Sequence, residues 1–339
     1  MVDRSTPIQL DAPAKLNLSL SVLCRRDDGF HGIESLMVGL RLAERLTIAS
    51  VRRAVPAVDG PVVRLVVRHA GRLASGRSSS ARRPIPTDGG NLVVKAVLAL
   101  AKACGETRGL DIELIKRIPA AAGLGGGSSD AAAAIRGAAM AWGIDWPSVR
   151  LADVAAEIGS DVPWFVESMS AIARGRGERL ERVTGVPPLF AVVACPSGGL
   201  STADVYRHCE PDAAGEGLAT RVARAFDLGS LREAFDLLHN DLEAPARGLC
   251  ADLERLIGSM QRATWGGGRL VHRSGDASRA MVTGSGSACF LLTRSACRAR
   301  AIAARIGAEG WPWVVVTRLA PFGSGRAAAT VPRCEPVRP

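Results

Sequence analysis

Residues 16, 18, 20 and 22 are Leu, Leu, Leu and Val, and the intervening residues 15, 17, 19 and 21 are Lys, Asn, Ser and Ser. Alternation of this kind predicts a half-buried strand. It puts Lys15 and Asn17 on one face, about 7 Å apart. Leu46 to Val51 and Val62 to Arg68 read as two more strands, separated by Pro56, Gly60 and Pro61. Apolar residues at 93, 94, 97, 98, 100 and 101 predict a helix from Asn91 to Cys104, and Asp111 to Ile115 reads as a strand. A glycine-rich loop then leads into an alanine-rich helix from Ser128 to about Trp142. Leu151 to Ile158 is predicted helical, Val162 to Phe165 opens a short element, and Leu189 to Cys195 is a strand. Farther on, the pattern predicts helices over 202–209, 217–227, 230–239, 249–260 and 295–307, and strands over 289–293 and 313–319. The natural boundary lies near Gly185-Val186-Pro187-Pro188. It divides the chain into domains of residues 1–185 and 186–323, with 324–339 expected to be a disordered tail.

Length and composition support this division. At about 150 residues per domain, 339 residues suggest two. Apolar residues at 47% and charged residues at 22% exclude a mostly disordered chain. No apolar run is long enough for a transmembrane helix, so no membrane partner is expected. The start, Met1-Val2-Asp3-Arg4, lacks the apolar core of a signal peptide. Eight scattered cysteines with no C-x-x-C pair predict reduced thiols and a cytoplasmic protein rather than a disulfide frame or zinc site.

The net charge of +10 invites a nucleic-acid reading, but its distribution weakens it. Residues 52–86 hold eight arginines against one acid, Asp59. Gly71 to Pro86 is rich in Arg, Ser, Gly and Pro and reads as a flexible insertion, either simply solvated or an arm for an anionic partner. It contains no aromatic residue, whereas single-strand binding surfaces need them for stacking. No nucleic-acid partner is therefore expected. Gly266 to Ala277 reads as a second flexible insertion.

The strongest chemical signal is Pro119-Ala120-Ala121-Ala122-Gly123-Leu124-Gly125-Gly126-Gly127-Ser128-Ser129. Glycines let backbone N–H groups converge without a Cβ in the way. The following helix adds its unpaired N–H groups and the positive end of its dipole. Together they form an anion nest suited to phosphate, with Ser128 and Ser129 as further donors or as help for a metal on the phosphates. The loop lacks the G-K-[ST] of a Walker A motif, and its place mid-domain does not suit a dinucleotide fold.

Pro119 to Ala131 resembles the P-x-x-x-G-L-G-G-G-S-S-[DN]-A motif of the GHMP kinases, ATP-dependent small-molecule kinases without a Walker loop. Pro13-Ala14-Lys15-Leu16-Asn17-Leu18 is similar to the family's first motif. Val282-Thr283-Gly284-Ser285-Gly286-Ser287 with Cys289-Phe290 is similar to its third. Arg26-Asp27-Asp28-Gly29-Phe30-His31, Asp88 to Val93, Ile158 to Pro163 and Asn240-Asp241-Leu242-Glu243 narrow the resemblance to the branch that phosphorylates a cytidine-diphosphate polyol. It runs in order from about residue 10 to 322, with extra residues near 69–86 and 264–280.

The resemblance implies an α+β protein with a ribosomal-S5-domain-2-like N-terminal domain, a ferredoxin-like C-terminal domain and a cleft site between them. It implies transfer of the ATP γ-phosphate to the C2 hydroxyl of 4-diphosphocytidyl-2-C-methyl-D-erythritol, with Mg²⁺ accompanying the nucleotide, in the non-mevalonate route to isoprenoid precursors. By the same resemblance Asp161 accepts the hydroxyl proton, and Lys15 orients it and stabilises transferred charge. ATP would lie on Pro119 to Ser129. The cytosine ring would lie between Phe30 and Tyr206 and be bound by His31, with Asn17, Asn91 and Thr202 as further substrate contacts. Phe30 stands where Tyr is commoner in the family, which keeps stacking and loses a phenol hydrogen bond. No residues are assigned as metal ligands, and a monomer or homodimer fits equally. Two alternatives stay open: a GHMP kinase for another alcohol, such as homoserine or mevalonate, and a non-catalytic nucleic-acid binder using the arginine-rich stretch.

Overall fold

The computed structural model describes residues 7–51, 61–70, 85–167, 170–264 and 276–320. The arginine-rich stretch is therefore outside the described residues from 71 to 84, the second insertion from 265 to 275, and the C-terminal tail entirely.

Two long antiparallel strands organise the molecule. β1 (Ile8–Arg25) pairs with β2 (His31–Ser50) along its whole length, from Ile8↔Ile48 to Arg25↔His31. The alternation identified β1 correctly, but its polar face is not solvated: Lys15, Asn17, Ser19 and Ser21 are all buried. Only the end of β2, from Leu46 on, was expected as strand, because Glu34, Arg41, Glu44 and Arg45 break its apolar pattern. Two of those charges are buried and paired, Glu34 with Arg174 and Glu44 with Lys116, so they belong to the interior.

The other edge of β2 is shared by three partners. β4 (Leu110–Lys116) covers residues 45–50, and β5 (Ala171–Gly175) covers 33–37. β11 (Trp313–Ala320) meets it at Leu40 and Gly39. β3 (Val63–His69) adds to β4 in parallel, and β6 (Arg179–Arg182) completes a hairpin with β5. Helices α1 (Leu92–Cys104), α2 (Gly126–Trp142), α3 (Ser148–Ala156) and α4 (Val162–Glu167) pack on this sheet through a core that includes Leu46, Ile48, Val97, Leu100, Ile135 and Phe165.

In the C-terminal half, β7 (Phe190–Cys195) is followed by α5 (Thr202–Arg207), α6 (Leu218–Asp227), α7 (Leu231–Asp236), a two-residue β8 (His239–Asn240), α8 (Glu243–Leu249) and α9 (Ala251–Thr264). A short β9 (Met281–Val282), β10 (Cys289–Thr293), α10 (Ala296–Ala308) and β11 close the chain. The order β11-β7-β10-β9 makes this half a β-α-β-β-α-β sheet of ferredoxin-like topology. The predicted helix 230–239 stops at 236, since β8 pairs in parallel with β1 at Ser19 and Leu20. The predicted 249–260 helix starts at 251 and runs to 264, and α8 before it was not anticipated. One core joins the halves, packing Leu16, Leu18, Leu36 and Leu40 against Phe226, Phe235, Phe290 and Leu319.

Candidate active site

β1 is irregular on both sides of the first motif. Its register against β2 shifts between Pro13 and Lys15 and again between Asn17 and Ser19. Bulges of this kind re-aim side chains, and here they bracket Lys15-Leu16-Asn17. Lys15 Nζ donates to Asn17 Oδ1 at 2.6 Å and lies 3.5 Å from Asp161 Oδ2. Asn17 Nδ2 donates to Ser35 Oγ at 2.7 Å, and Ser35 Oγ to the Ser19 carbonyl at 2.6 Å. The Asn17 N–H donates to Thr283 Oγ1 at 3.1 Å, which ties the first motif to the third. The shared face expected of Lys15 and Asn17 is therefore real, and Asp161 joins it from the turn that opens α4.

The glycine loop runs beside this group. The carbonyls of Ala121, Ala122 and Leu124 accept from the N–H groups of Leu200, Ala288 and Lys15 at 3.3, 3.0 and 3.0 Å. A trans peptide points its N–H opposite to its C=O. The N–H groups of Ala122, Gly123 and Gly125 therefore point away from those three donors, and none has an acceptor among the described residues. Glycine is required at two positions. At Gly123, with φ +76°, a Cβ would lie 2.1 Å from the Thr283 carbonyl. At Gly125, with φ +71°, it would lie 2.6 Å from Phe165 and 3.0 Å from Lys15 Cγ. α2 begins at Gly126, two residues before the predicted start, because left-handed Gly125 already serves as its cap. Gly126 and Gly127 thus belong to the helix, not the loop. A Cβ at either would make only ordinary contacts, 3.4 Å to Ile118 and 3.5 Å to Leu92. Helical glycine costs about 1 kcal/mol relative to Ala, and packing gives no reason for it here. Ser129 Oγ, in the first turn, is buried with no partner among the described residues.

At the far side of Asp161, His31 and Tyr206 come together with ring centroids 5.1 Å apart. Burial, then the Arg25 charge, lowers the His31 pKa, so the ring is neutral at pH 7. Its Nε2 is buried with no partner among the described residues. Burial, then the nearby Asp161 carboxylate, raises the Tyr206 phenol, which stays protonated. Phe30 is 51% exposed, with the Arg176 guanidinium 4.8 Å over its ring.

The region 91–168 matches the family described as GHMP kinases N terminal domain. A 4-diphosphocytidyl-2-C-methyl-D-erythritol kinase of Rhodopirellula baltica is 38% identical over 86% of this chain and 88% of its own length. One from Paramagnetospirillum magneticum is 35% identical over 91% of this chain and 96% of its own. The chain belongs to the 4-diphosphocytidyl-2-C-methyl-D-erythritol kinase family. A crystal structure of a 4-(cytidine 5'-diphospho)-2C-methyl-D-erythritol kinase superposes with a TM-score of 0.68 at 30% identity, covering 94% of this chain and all of that one. The GHMP kinase fold expected from the motifs is the fold of this protein.

Within this GHMP kinase framework the remaining residues take different places. Thr202 Oγ1 lies 2.9 Å from Ser285 Oγ, so α5 is tied to the third motif. Asn91 caps α1: its Oδ1 accepts from the Val93 N–H at 2.8 Å and its Nδ2 donates to the Pro86 carbonyl at 2.6 Å. Both ends of its amide are thus used by the protein, a structural role beside the substrate contact expected for it. Three contributors were not anticipated. Arg176, in the turn between β5 and β6, covers Phe30, and its neighbour Gly177 approaches Asp161. Asn240 Nδ2 donates to the carbonyls of Val282 and Gly284, both at 2.9 Å. Glu243 Oε2 accepts from the Val282 N–H at 2.9 Å. The Asn240-Asp241-Leu242-Glu243 motif was visible in sequence, but its task of holding the third glycine turn was not.

Proposed function

We propose that the protein transfers the γ-phosphate of ATP to the C2 hydroxyl of 4-diphosphocytidyl-2-C-methyl-D-erythritol, giving ADP and the 2-phosphate, in the cytoplasm. The observation that carries the mechanism is the pairing of Lys15 and Asp161 beside a loop in which the N–H groups of Ala122, Gly123 and Gly125 have no acceptor among the described residues. Family membership supports the substrate.

Phosphoryl transfer needs positioning and charge stabilisation more than covalent chemistry. The N–H groups of Ala122, Gly123 and Gly125 and the start of α2 bind the phosphates, and Gly126 and Gly127 let them approach the helix closely. Asp161 accepts the hydroxyl proton as the oxygen attacks. Lys15, held by Asn17, keeps the carboxylate in place and offsets charge on the transferring group. Tyr206 and Phe30 flank the base, and neutral His31 offers its buried Nε2 to it.

No group of three or more His, Cys, Asp or Glu side chains able to hold a metal occurs among the described residues. Mg²⁺ commonly takes most of its ligands from phosphates and water and one or two from protein. The orphaned Ser129 hydroxyl fits such a ligand. The bound ion would neutralise charge on the β- and γ-phosphates. A small-molecule substrate fits the fold, and no helix among the described residues is long and apolar enough to cross a membrane. The division into residues 1–185 and 186–323 is kept as the proposed domain arrangement, with β11 bridging it.

The deciding experiment is ADP release with the cytidyl substrate, mevalonate and homoserine run in parallel, with Asp161→Asn as control. Activity is expected on the cytidyl substrate alone, falling by about 10²–10⁴ in the variant. Turnover of another alcohol, or full activity in a folded variant, refutes the assignment.

A further inference from the structure

Phosphoryl transfer depends on the distance from the attacking oxygen to the phosphorus, and one turn of the chain lies between the groups that hold the two. It is Thr283 to Gly286, closed by the Gly286 N–H donating to the Thr283 carbonyl at 3.0 Å. On one side it meets Asn17, which holds Lys15. Thr283 Oγ1 accepts from the Asn17 N–H at 3.1 Å, and a Cβ on Gly284 would lie 3.2 Å from Asn17 Oδ1. On the other side it meets the glycine loop. The same Cβ would lie 3.1 Å from the Gly123 carbonyl, and a Cβ on Gly123 would lie 2.1 Å from the Thr283 carbonyl. The turn is therefore a spacer between the strand that carries Lys15 and the loop assigned to the phosphates.

A spacer sets a distance only if it is held still. Gly284 and Gly286, at φ +55° and +80°, leave the turn with little stiffness of its own. Asn240 supplies it. Its buried side chain donates through Nδ2 to the carbonyls of Val282 and Gly284, both at 2.9 Å, and accepts through Oδ1 from the Leu242 N–H at 3.0 Å. These bonds use both amide hydrogens and fix which end of the amide is which. Asn240 is itself fastened to β1. It pairs with Leu20, and the next N–H, of Asp241, donates to the Leu20 carbonyl at 3.0 Å. The contacts close a ring: from β1 at Leu20 to Asn240, to the turn, and through Thr283 Oγ1 back to β1 at Asn17.

We propose that Asn240 is a positioning residue for phosphoryl transfer: acting through the third glycine turn, it fixes the spacing between the Lys15–Asp161 pair and the phosphate loop. Its amide is engaged within the protein, so it works through the turn and not on either substrate. This inference rests on the kinase reading of the site.

Asn240→Asp tests it. The variant keeps the side-chain shape and the bond to Leu242, but sets a carboxylate oxygen against two carbonyls where the donor was. The turn must shift, and a displacement of about 1 Å at a reacting group costs about 10² in rate. The single-turnover rate, with enzyme and the cytidyl alcohol in excess over ATP and with Mg²⁺ present, should fall by about that factor. Dissociation constants for a non-hydrolysable ATP analogue and for CDP, measured by calorimetry, should hold, because the loop and the base-stacking rings keep their other contacts. A role in folding alone would lower the melting temperature and leave the rate of the folded enzyme unchanged. Thr283→Val and Thr283→Ser supply a second readout that decides the matter should Asn240→Asp not fold. The first breaks the link from the turn to Asn17 and should slow single turnover in the same way. The second keeps the hydroxyl and should restore the rate.

A folded Asn240→Asp protein with the wild-type rate overturns the inference, as does a loss of rate that follows weaker binding of either ligand, or a Thr283→Val protein that turns over like wild type. Each leaves the kinase reading intact. A wild-type protein that does not phosphorylate the cytidyl alcohol overturns that reading and this inference with it.

Discussion

Tyr206 is the one tyrosine of the chain, and its place explains why a single ring matters. It is half-buried, with His31 against one side and the charge of Asp161 close enough to raise its pKa. Stacking a base on an aromatic ring is worth about 1–3 kcal/mol. Tyr206→Ala should therefore raise KM for the cytidyl substrate about 10- to 100-fold, with a much smaller change in KM for ATP. Steady-state kinetics varying each substrate in turn separates the two. A rise confined to KM for ATP would place the base elsewhere. Several of these residues were legible singly in the sequence, Lys15 and Asn17 from strand spacing and Tyr206 and His31 from the motifs around them. Arg176 was not, because an arginine in a Gly-Arg-Gly turn looks like any solvated charge until the fold brings it over Phe30.

Among elements, the glycine loop and α2 are the ones in which sequence and structure agree most closely. The helix starts earlier than its composition suggests, since a left-handed glycine ends the loop and the next two glycines carry the first turn. Gly123→Ala tests whether the loop's path matters. A Cβ there meets the Thr283 carbonyl at 2.1 Å and demands a left-handed conformation that Ala disfavours, at roughly 1–3 kcal/mol. The loop must shift, so KM for ATP should rise about tenfold or more and the melting temperature should fall by several degrees. Unchanged KM for ATP in a folded variant would remove the loop from the nucleotide site. β2 shows the opposite case. Its charged residues break the strand pattern because their partners, Arg174 and Lys116, lie 140 and 72 residues away and are invisible to local reading.

For the whole molecule, the telling feature is that the two halves share a sheet and a core. β11 pairs with β7 along six residues and with β2 at Leu319↔Leu40 and Ala320↔Gly39. Leu319 is fully buried in the core that joins Leu16 and Leu40 to Phe226 and Phe290. Leu319→Ala should cost about 2–5 kcal/mol. Calorimetry should show one cooperative transition moving to lower temperature, since both halves lose the same support. Two separated transitions would show that the halves unfold independently.

The sequence by itself determined the local geometry: the alternating strand that carries Lys15 and Asn17, the glycine loop with its helix, and the order of motifs that marks the family. Those features depend on short-range periodicity and backbone conformational preference, which a linear reading contains. The tertiary structure alone decided which polar residues are interior. It closed Lys15 on Asp161, turned the face of β1 that looked solvated into the floor of the site, set Asn240 and Glu243 under the third glycine turn, and enclosed Glu44, Lys116 and Asp130 behind the loop. A charged residue is stable inside only when a partner meets it, and which partner does so is a property of the fold rather than of neighbours along the chain.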